Sequence, residues 1–153
     1  MFGAIYNQPI QKEKVGFDNI PDYIFPSIDG FLDILEIKLP SDEVIEVDRA
    51  HPGSWKWSQK CNGAIGQVIN YLHQIEAHPD ELKRRIRDRH GVDLRVVKPR
   101  SYILIGNSEN WKEDKIEGLR KMNHALHSIE IITYNELLKR GQKIIEMYSS
   151  EPS

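Results

Sequence analysis

The sequence predicts an α/β fold, a sheet with some parallel pairing crossed over by helices. Three observations predict it. Short apolar runs at residues 31–37, 102–106 and 129–132 read as strands. Stretches with apolar residues every three or four positions, at 57–77, 80–90 and 113–128, separate those runs and read as helices. A helix between two strands returns the second beside the first in parallel. The element order is β-β-β-α-α-β-α-β-α.

Each element has its own justification. Residues 4–17 alternate loosely and are broken by Pro9 and Gly16, which suits one or two edge-like strands. The runs at 23–25 and 31–37 flank Asp29-Gly30, and Asp-Gly between apolar runs predicts a two-residue hairpin turn with φ > 0 at both positions. Pro26 demotes the first run to an edge or bulged strand, and Pro40 ends the second. Residues 41–54 are polar and acidic, a predicted loop. In the 57–77 helix, Cys61, Ile65, Val68, Leu72 and Ile75 form a core-facing stripe. Pro79 suits the first turn of the next helix and Gly91 its stop. The continuous run at 102–106 reads as a strand covered on both faces. In the 113–128 helix, Ile116, Leu119, Met122 and Leu126 point inward. Thr133-Tyr134-Asn135-Glu136 is a capping-box pattern opening the last helix. Residues 1–148 read as one domain and 149–153 as a frayed tail.

Composition excludes several classes. The length of 153 residues suits one domain. A net charge of −2 gives no bulk attraction to nucleic acid or anionic membrane, so a polyanion site must come from local patches. The one cysteine, Cys61, rules out an internal disulfide and a Cys-rich zinc site, and fits a reducing compartment. No apolar run approaches a membrane span, and the N-terminus lacks the basic start and apolar block of a secretory signal.

The chemistry concentrates at Glu36-Ile37-Lys38. Side chains alternate along a strand, so Glu36 and Lys38 share a face while Leu35, Ile37 and Leu39 take the other. The carboxylate can hold a hard cation through oxygen. The ammonium is then within reach of a metal-bound water or of phosphoryl oxygens. Asp22 follows Pro21 at the start of the paired strand. A two-residue turn at Asp29-Gly30 sets residues whose numbers sum to 59 opposite each other, which puts Asp22 opposite Ile37 and on the wrong face. A bend at Pro21-Asp22 or a bulge near Pro26 must turn it toward Glu36. On an exposed strand Glu-x-Lys is an ordinary solvated pair. Apolar flanks, a central strand and Pro-Asp at hairpin distance argue for a site.

Pro21-Asp22, thirteen residues, then Glu36-Ile37-Lys38 resembles the PD-(D/E)xK phosphodiesterase superfamily, and Gln67 and Tyr71 on the following helix match its recurring Gln-x-x-x-Tyr element. Over residues 20–140, Glu36-Ile37-Lys38-Leu39-Pro40, Ala64-Ile65-Gly66-Gln67-Val68-Ile69-Asn70-Tyr71, Ile103-Leu104-Ile105-Gly106 and Thr133-Tyr134-Asn135-Glu136-Leu137-Leu138 are similar, in order and spacing, to the C-terminal nuclease domain of the Shedu anti-phage defence proteins. The resemblance implies a restriction-endonuclease-like mixed central sheet flanked by helices. It implies Mg²⁺-dependent cleavage of DNA in the prokaryotic cytoplasm, with Mn²⁺ as a substitute. Asp22, Glu36 and the Ile37 carbonyl would hold the metal, Lys38 would orient the attacking water and offset charge, and Gln67 would hold water or phosphate at the rim. A homo-oligomer is also implied. Two departures stand out. The helix that usually precedes the first strand is not evident, so either it is absent or the chain is part of a longer protein with an N-terminal regulatory domain. Leu39 stands where a basic residue is more usual, which weakens a phosphate contact.

Other features carry two readings each. Lys83, Arg84, Arg85, Arg87 and Arg89 share one short helix with Asp80, Glu81 and Asp88. They form either a DNA-backbone patch, joined by Tyr71, or a solvated face of internal ion pairs. His124 and His127 have ligand spacing but no carboxylate partner, and read as surface histidines. Trp55 and Trp57 could stack a base or pack the helix start. Asp42, Glu43, Glu46 and Asp48 could add a metal ligand or form an ordinary mobile loop. The sequence thus predicts a metal-dependent DNA endonuclease domain. The competing class is a non-catalytic sensor or interaction module keeping the same fold. An RNA- or single-strand-specific nuclease shares the same three residues.

Overall fold

The computed structural model describes residues 9–15, 20–27 and 29–149. Its elements are β1 (Ile10–Gln11), β2 (Tyr23–Pro26), β3 (Phe31–Ile37), β4 (Ile45–Val47), β5 (Trp55–Trp57), α1 (Gln59–Ala77), α2 (Pro79–His90), β6 (Arg95–Leu104), α3 (Glu113–His124), β7 (Ile129–Ile132) and α4 (Tyr134–Ser149). Five strands form one sheet in the order β1-β2-β3-β6-β7. β1, β2 and β3 pair antiparallel, while β3-β6 and β6-β7 are parallel. The α/β class and the partial parallel pairing are as expected. β3 sits at the centre, and all five residues from Leu32 to Glu36 are buried.

The two faces are covered unequally. One carries Ile24, Leu32, Ile34, Ile103 and Ile131, packed against Cys61, Ile65, Val68 and Ile75 of α1, Leu82 and Ile86 of α2, and Leu119 of α3. Burying side chains of this size stabilises the fold by about 1.5–3 kcal/mol each. The other face carries Leu35, Tyr102, Leu104 and Ile132, covered by Tyr134 and Leu137 at the start of α4. No residue of α4 is fully buried.

Several expectations need correction. The β2-β3 turn has three residues between Ser27 and Phe31, not two. Of Asp29 and Gly30, only Gly30 takes a left-handed φ, +78°, and its N–H donates to the Ser27 carbonyl at 2.8 Å. This is the three-residue loop closed by a left-handed glycine, and it sets facing residues to sum to 58 (Tyr23 with Leu35, Ile24 with Ile34). Pro26 does not put β2 at the sheet edge. β1 pairs along the outer side of β2 at Tyr23 and Ile24.

Residues 41–54 are not a plain loop. Val44 and Ile45 are fully buried, and β4 pairs with β5 in a small second sheet. That pairing takes Trp55 and Trp57, so α1 begins only at Gln59, with Ser58 as its cap accepting from the Cys61 N–H at 3.0 Å. The hairpin is keyed into the body at two glycines. A Cβ on Gly118 would lie 2.6 Å from the Trp55 ring, and one on Gly106 would strike Val44. The tryptophans therefore pack rather than stack a base. β6 starts seven residues earlier than the apolar run, because Arg95 pairs with Phe31 and Arg100 with Asp33, across an irregular stretch between them. α3 ends at His124, four residues short of 128, and leaves Ile116 exposed.

α2 spans Pro79–His90 and stops at Gly91, whose φ is +67°. At the start of α4 the capping box is not realised as a reciprocal pair. The Thr133 hydroxyl meets Ser108 Oγ at 2.8 Å, and Glu136 receives Arg140 at 2.6 Å. Ser149 still belongs to α4, and 150–153 lie outside the described residues, as do 4–8 and 16–17 of the expected first strands.

Candidate active site

β3 delivers Glu36 and Lys38 to the α1 side of the sheet, as strand alternation requires. Lys38 Nζ donates to Glu36 Oε1 at 2.8 Å and to Gln67 Oε1 at 3.0 Å. Gln67 and Tyr71 lie one helical turn apart on α1, and Gln67 Nε2 donates to the Tyr71 hydroxyl at 2.5 Å. That hydroxyl donates in turn to the Ile20 carbonyl at 3.1 Å. Lys38 is thus gripped from two elements, β3 and α1. Burial and the nearby Glu36 charge hold the Tyr71 hydroxyl above the usual tyrosine range, so it stays a proton donor at neutral pH.

The hairpin register brings Asp22 to the same face. With facing residues summing to 58, one step past Tyr23-Leu35 sets Asp22 opposite Glu36 rather than Ile37. A one-residue shift in register moves every side chain to the other face of a sheet. The expected bend or bulge is therefore unnecessary, because the longer turn does the work. Asp22 Oδ2 accepts the Ile37 N–H at 2.8 Å, which ties the start of β2 to the end of β3.

Glu36 is 4% exposed, and its Oε2 is buried without a hydrogen-bond partner among the described residues. A buried carboxylate oxygen left unpaired is costly and leaves room for a water or an ion. Among the described residues no group of three or more His, Cys, Asp or Glu is arranged to hold a metal. The donor set is instead two carboxylates on one face beside a strand-end carbonyl, Ile37. That set fits Mg²⁺, which favours one or two carboxylates and keeps several waters, and Mn²⁺ takes similar oxygen donors.

Two residues of the site were missed by sequence reasoning. Tyr134 donates its hydroxyl to the Lys38 carbonyl at 2.7 Å. Burial, with the charges of Asp22 and Asp42, holds that hydroxyl above its usual range. Tyr134 was visible only as a member of the capping pattern. Lys12, just past β1, brings its ammonium to Asp22 Oδ1, and that hydrogen bond holds it above the usual lysine range. No motif marks it.

The other candidates go elsewhere. Arg85 reaches Glu13 at 2.8 Å, Arg89 at 3.4 Å, and Arg87 meets Asp93 at 2.5 Å. Arg84 is exposed and Lys83 half-buried, both on α2. Tyr71 is buried, so it positions Gln67 and offers no surface to DNA. The acidic residues of 41–54 are not a mobile loop. Asp42 accepts from the Leu39 N–H at 3.0 Å, Glu43 pairs with Lys115, Glu46 with Lys56, and Asp48 with His51. His124 and His127 are exposed. Burial pushes the Cys61 thiol up to about 12, so it is an inert core group.

Fold and site together define a mixed α/β domain with a carboxylate-lysine cluster at the end of its central strand. The family model described as "Shedu protein SduA, C-terminal" matches residues 2–138, and the chain belongs to that family. Membership points it to a role in anti-phage defence. No curated protein matches the sequence. Among the described residues no helix is long and apolar enough to cross a membrane.

Proposed function

We propose that this chain is a metal-dependent DNA endonuclease domain of the restriction-endonuclease-like kind, acting in anti-phage defence in the prokaryotic cytoplasm. The observation that carries the reading is the unpartnered Oε2 of Glu36, buried beside Lys38 on the face that Asp22 shares. Asp22, Glu36 and the Ile37 carbonyl would hold Mg²⁺, or Mn²⁺ in its place. The bound ion supplies charge neutralisation at phosphorus and lowers the cost of deprotonating water. Lys38 holds and orients the attacking water as the P–O bond opens, and offsets the negative charge growing on the phosphoryl oxygens. Gln67 fixes the Lys38 ammonium and presents its amide at the rim, with Tyr71 bracing it.

DNA would approach the strand ends, with Lys83, Arg84 and Arg87 as candidate backbone contacts once Arg87 exchanges Asp93 for phosphate, while Arg85 stays on Glu13. A homo-oligomer would gather several such patches. The exposed Leu138, Ile145 and Tyr148 of α4 support self-association, and an N-terminal regulatory domain could govern it. A single monomeric species in light scattering at micromolar concentration would remove the oligomer from this proposal.

The non-catalytic module keeps one argument in its favour, since both oxygens of Asp22 are already engaged. Cleavage of plasmid and linear DNA with Mg²⁺ or Mn²⁺, wild type beside Lys38→Ala, separates the two. Metal-dependent cutting that vanishes in the variant supports the nuclease. Equal cutting by both proteins, or none by either, sinks it.

A further inference from the structure

Asp22 and Glu36 are unequally open. Glu36 keeps one oxygen free. Asp22 has none uncontested, because Ile37 N–H holds Oδ2 and the Lys12 ammonium holds Oδ1. The backbone under Lys12 is fixed. Its N–H donates to the Asp22 carbonyl at 3.1 Å, and its φ is +54°, a left-handed value rare for a residue with a side chain. The next residue, Glu13, is buried and clamped to α2 by Arg85 at 2.8 Å and His90 at 3.1 Å. The Lys12 side chain, by contrast, is 58% exposed on a long flexible stem. A pinned base with a mobile charged tip can reach Asp22 and can also leave it.

We propose that Lys12 is a resident counter-cation of Asp22, one that a divalent ion must displace before it can bridge Asp22 and Glu36. This rests on the metal-site reading above. Without metal the site is balanced, two carboxylates against the ammonium groups of Lys12 and Lys38. A divalent ion entering that set frees one ammonium and leaves the site with excess positive charge. The excess favours a polyanion, whose phosphate oxygens also fill ligand positions that the protein leaves open. Metal alone therefore binds weakly, and metal and nucleic acid bind cooperatively. Lys12 is a positioning residue here, acting through Asp22.

The test is calorimetric titration with Mn²⁺ and no nucleic acid, on wild type, Lys12→Met, Lys14→Met and Glu36→Gln. Lys14→Met makes the same charge change two residues away without touching Asp22. Releasing an exposed ion pair should tighten Mn²⁺ binding about two- to fivefold in Lys12→Met. Lys14→Met should match wild type. Unchanged or weaker binding in Lys12→Met overturns the inference while wild-type binding leaves the metal site standing. Equal tightening in both lysine variants also overturns it, since a general field would then explain the effect. Wild-type heat no greater than that of Glu36→Gln overturns the metal reading and this inference with it. If Lys12→Met does not melt cooperatively, Lys12→Gln carries the same test.

Discussion

Two glutamates in this domain are equally buried, each 4% exposed, and they are equipped in opposite ways. Glu13 has every oxygen satisfied, Oε1 by Arg85 and Arg89 and Oε2 by His90. Glu36 has one oxygen on Lys38 and, among the described residues, no partner for the other. Burial alone would raise the carboxyl pKa of Glu13. Hydrogen bonds from His90 and Arg85, with the charges of Arg85 and Arg89, outweigh it and hold Glu13 below the usual range. A carboxylate finished by its own chain is a structural joint, here between the segment after β1 and the end of α2. A carboxylate left unfinished is stability withheld for a ligand. Burial is common to both and distinguishes neither; the count of partners does.

The sharpest way to break this contrast is kinetic. Lys38→Ala should cut metal-dependent cleavage of DNA by about 10²–10³-fold, the cost of losing one charge-stabilising donor. Its fold, read by circular dichroism, should be unchanged. Next comes stability. Glu13→Gln should lower stability by roughly 1–2 kcal/mol, discounted because Arg89 is well exposed. In thermal melts that is a fall of about 2–8 °C for a domain of this size. Glu36→Gln should leave the melting temperature level or raise it, since it removes a buried charge with an unpaired oxygen. Equal losses from the two substitutions would erase the distinction drawn here.

A smaller effect follows in pH. Glu13 is depressed in the folded state, so its contribution is complete above the unfolded value near 4.5 and is lost as pH falls through the lower folded value. Wild type and Glu13→Gln should converge in melting temperature as pH is taken from 6 toward 3. The smallest expected effect is Tyr134→Phe, which removes the bond to the Lys38 carbonyl. It should cost about 1 kcal/mol and only a few-fold in cleavage rate.

Much of the fold was legible because periodicity reports burial. β3, β7 and the α1 stripe could be read directly, as could α2 between Pro79 and Gly91. The β4-β5 hairpin was hidden because only Val44 and Ile45 carry its core signal, inside an acidic stretch. Glu36, Lys38, Gln67 and Tyr71 were legible in the site, since strand and helix spacing decide which side chains meet. The face of Asp22 was not, because Asp-Gly is compatible with turns of two lengths and only Gly30 took the left-handed conformation. Lys12 was invisible because its contact depends on tertiary reach, which no local pattern encodes.

Surface loops ordinarily absorb insertions and deletions without consequence. The loop between Ser27 and Phe31 is governed by parity instead. Lengthened or shortened by one residue, it would carry Asp22 through the sheet to the side of Leu35 and Tyr102, while Glu36, Lys38 and Gln67 stayed in place. Changed by two, it would return Asp22 to its own side but displace it along the strand. Natural variation in this segment should therefore be sparse, and where it occurs, counted in even steps.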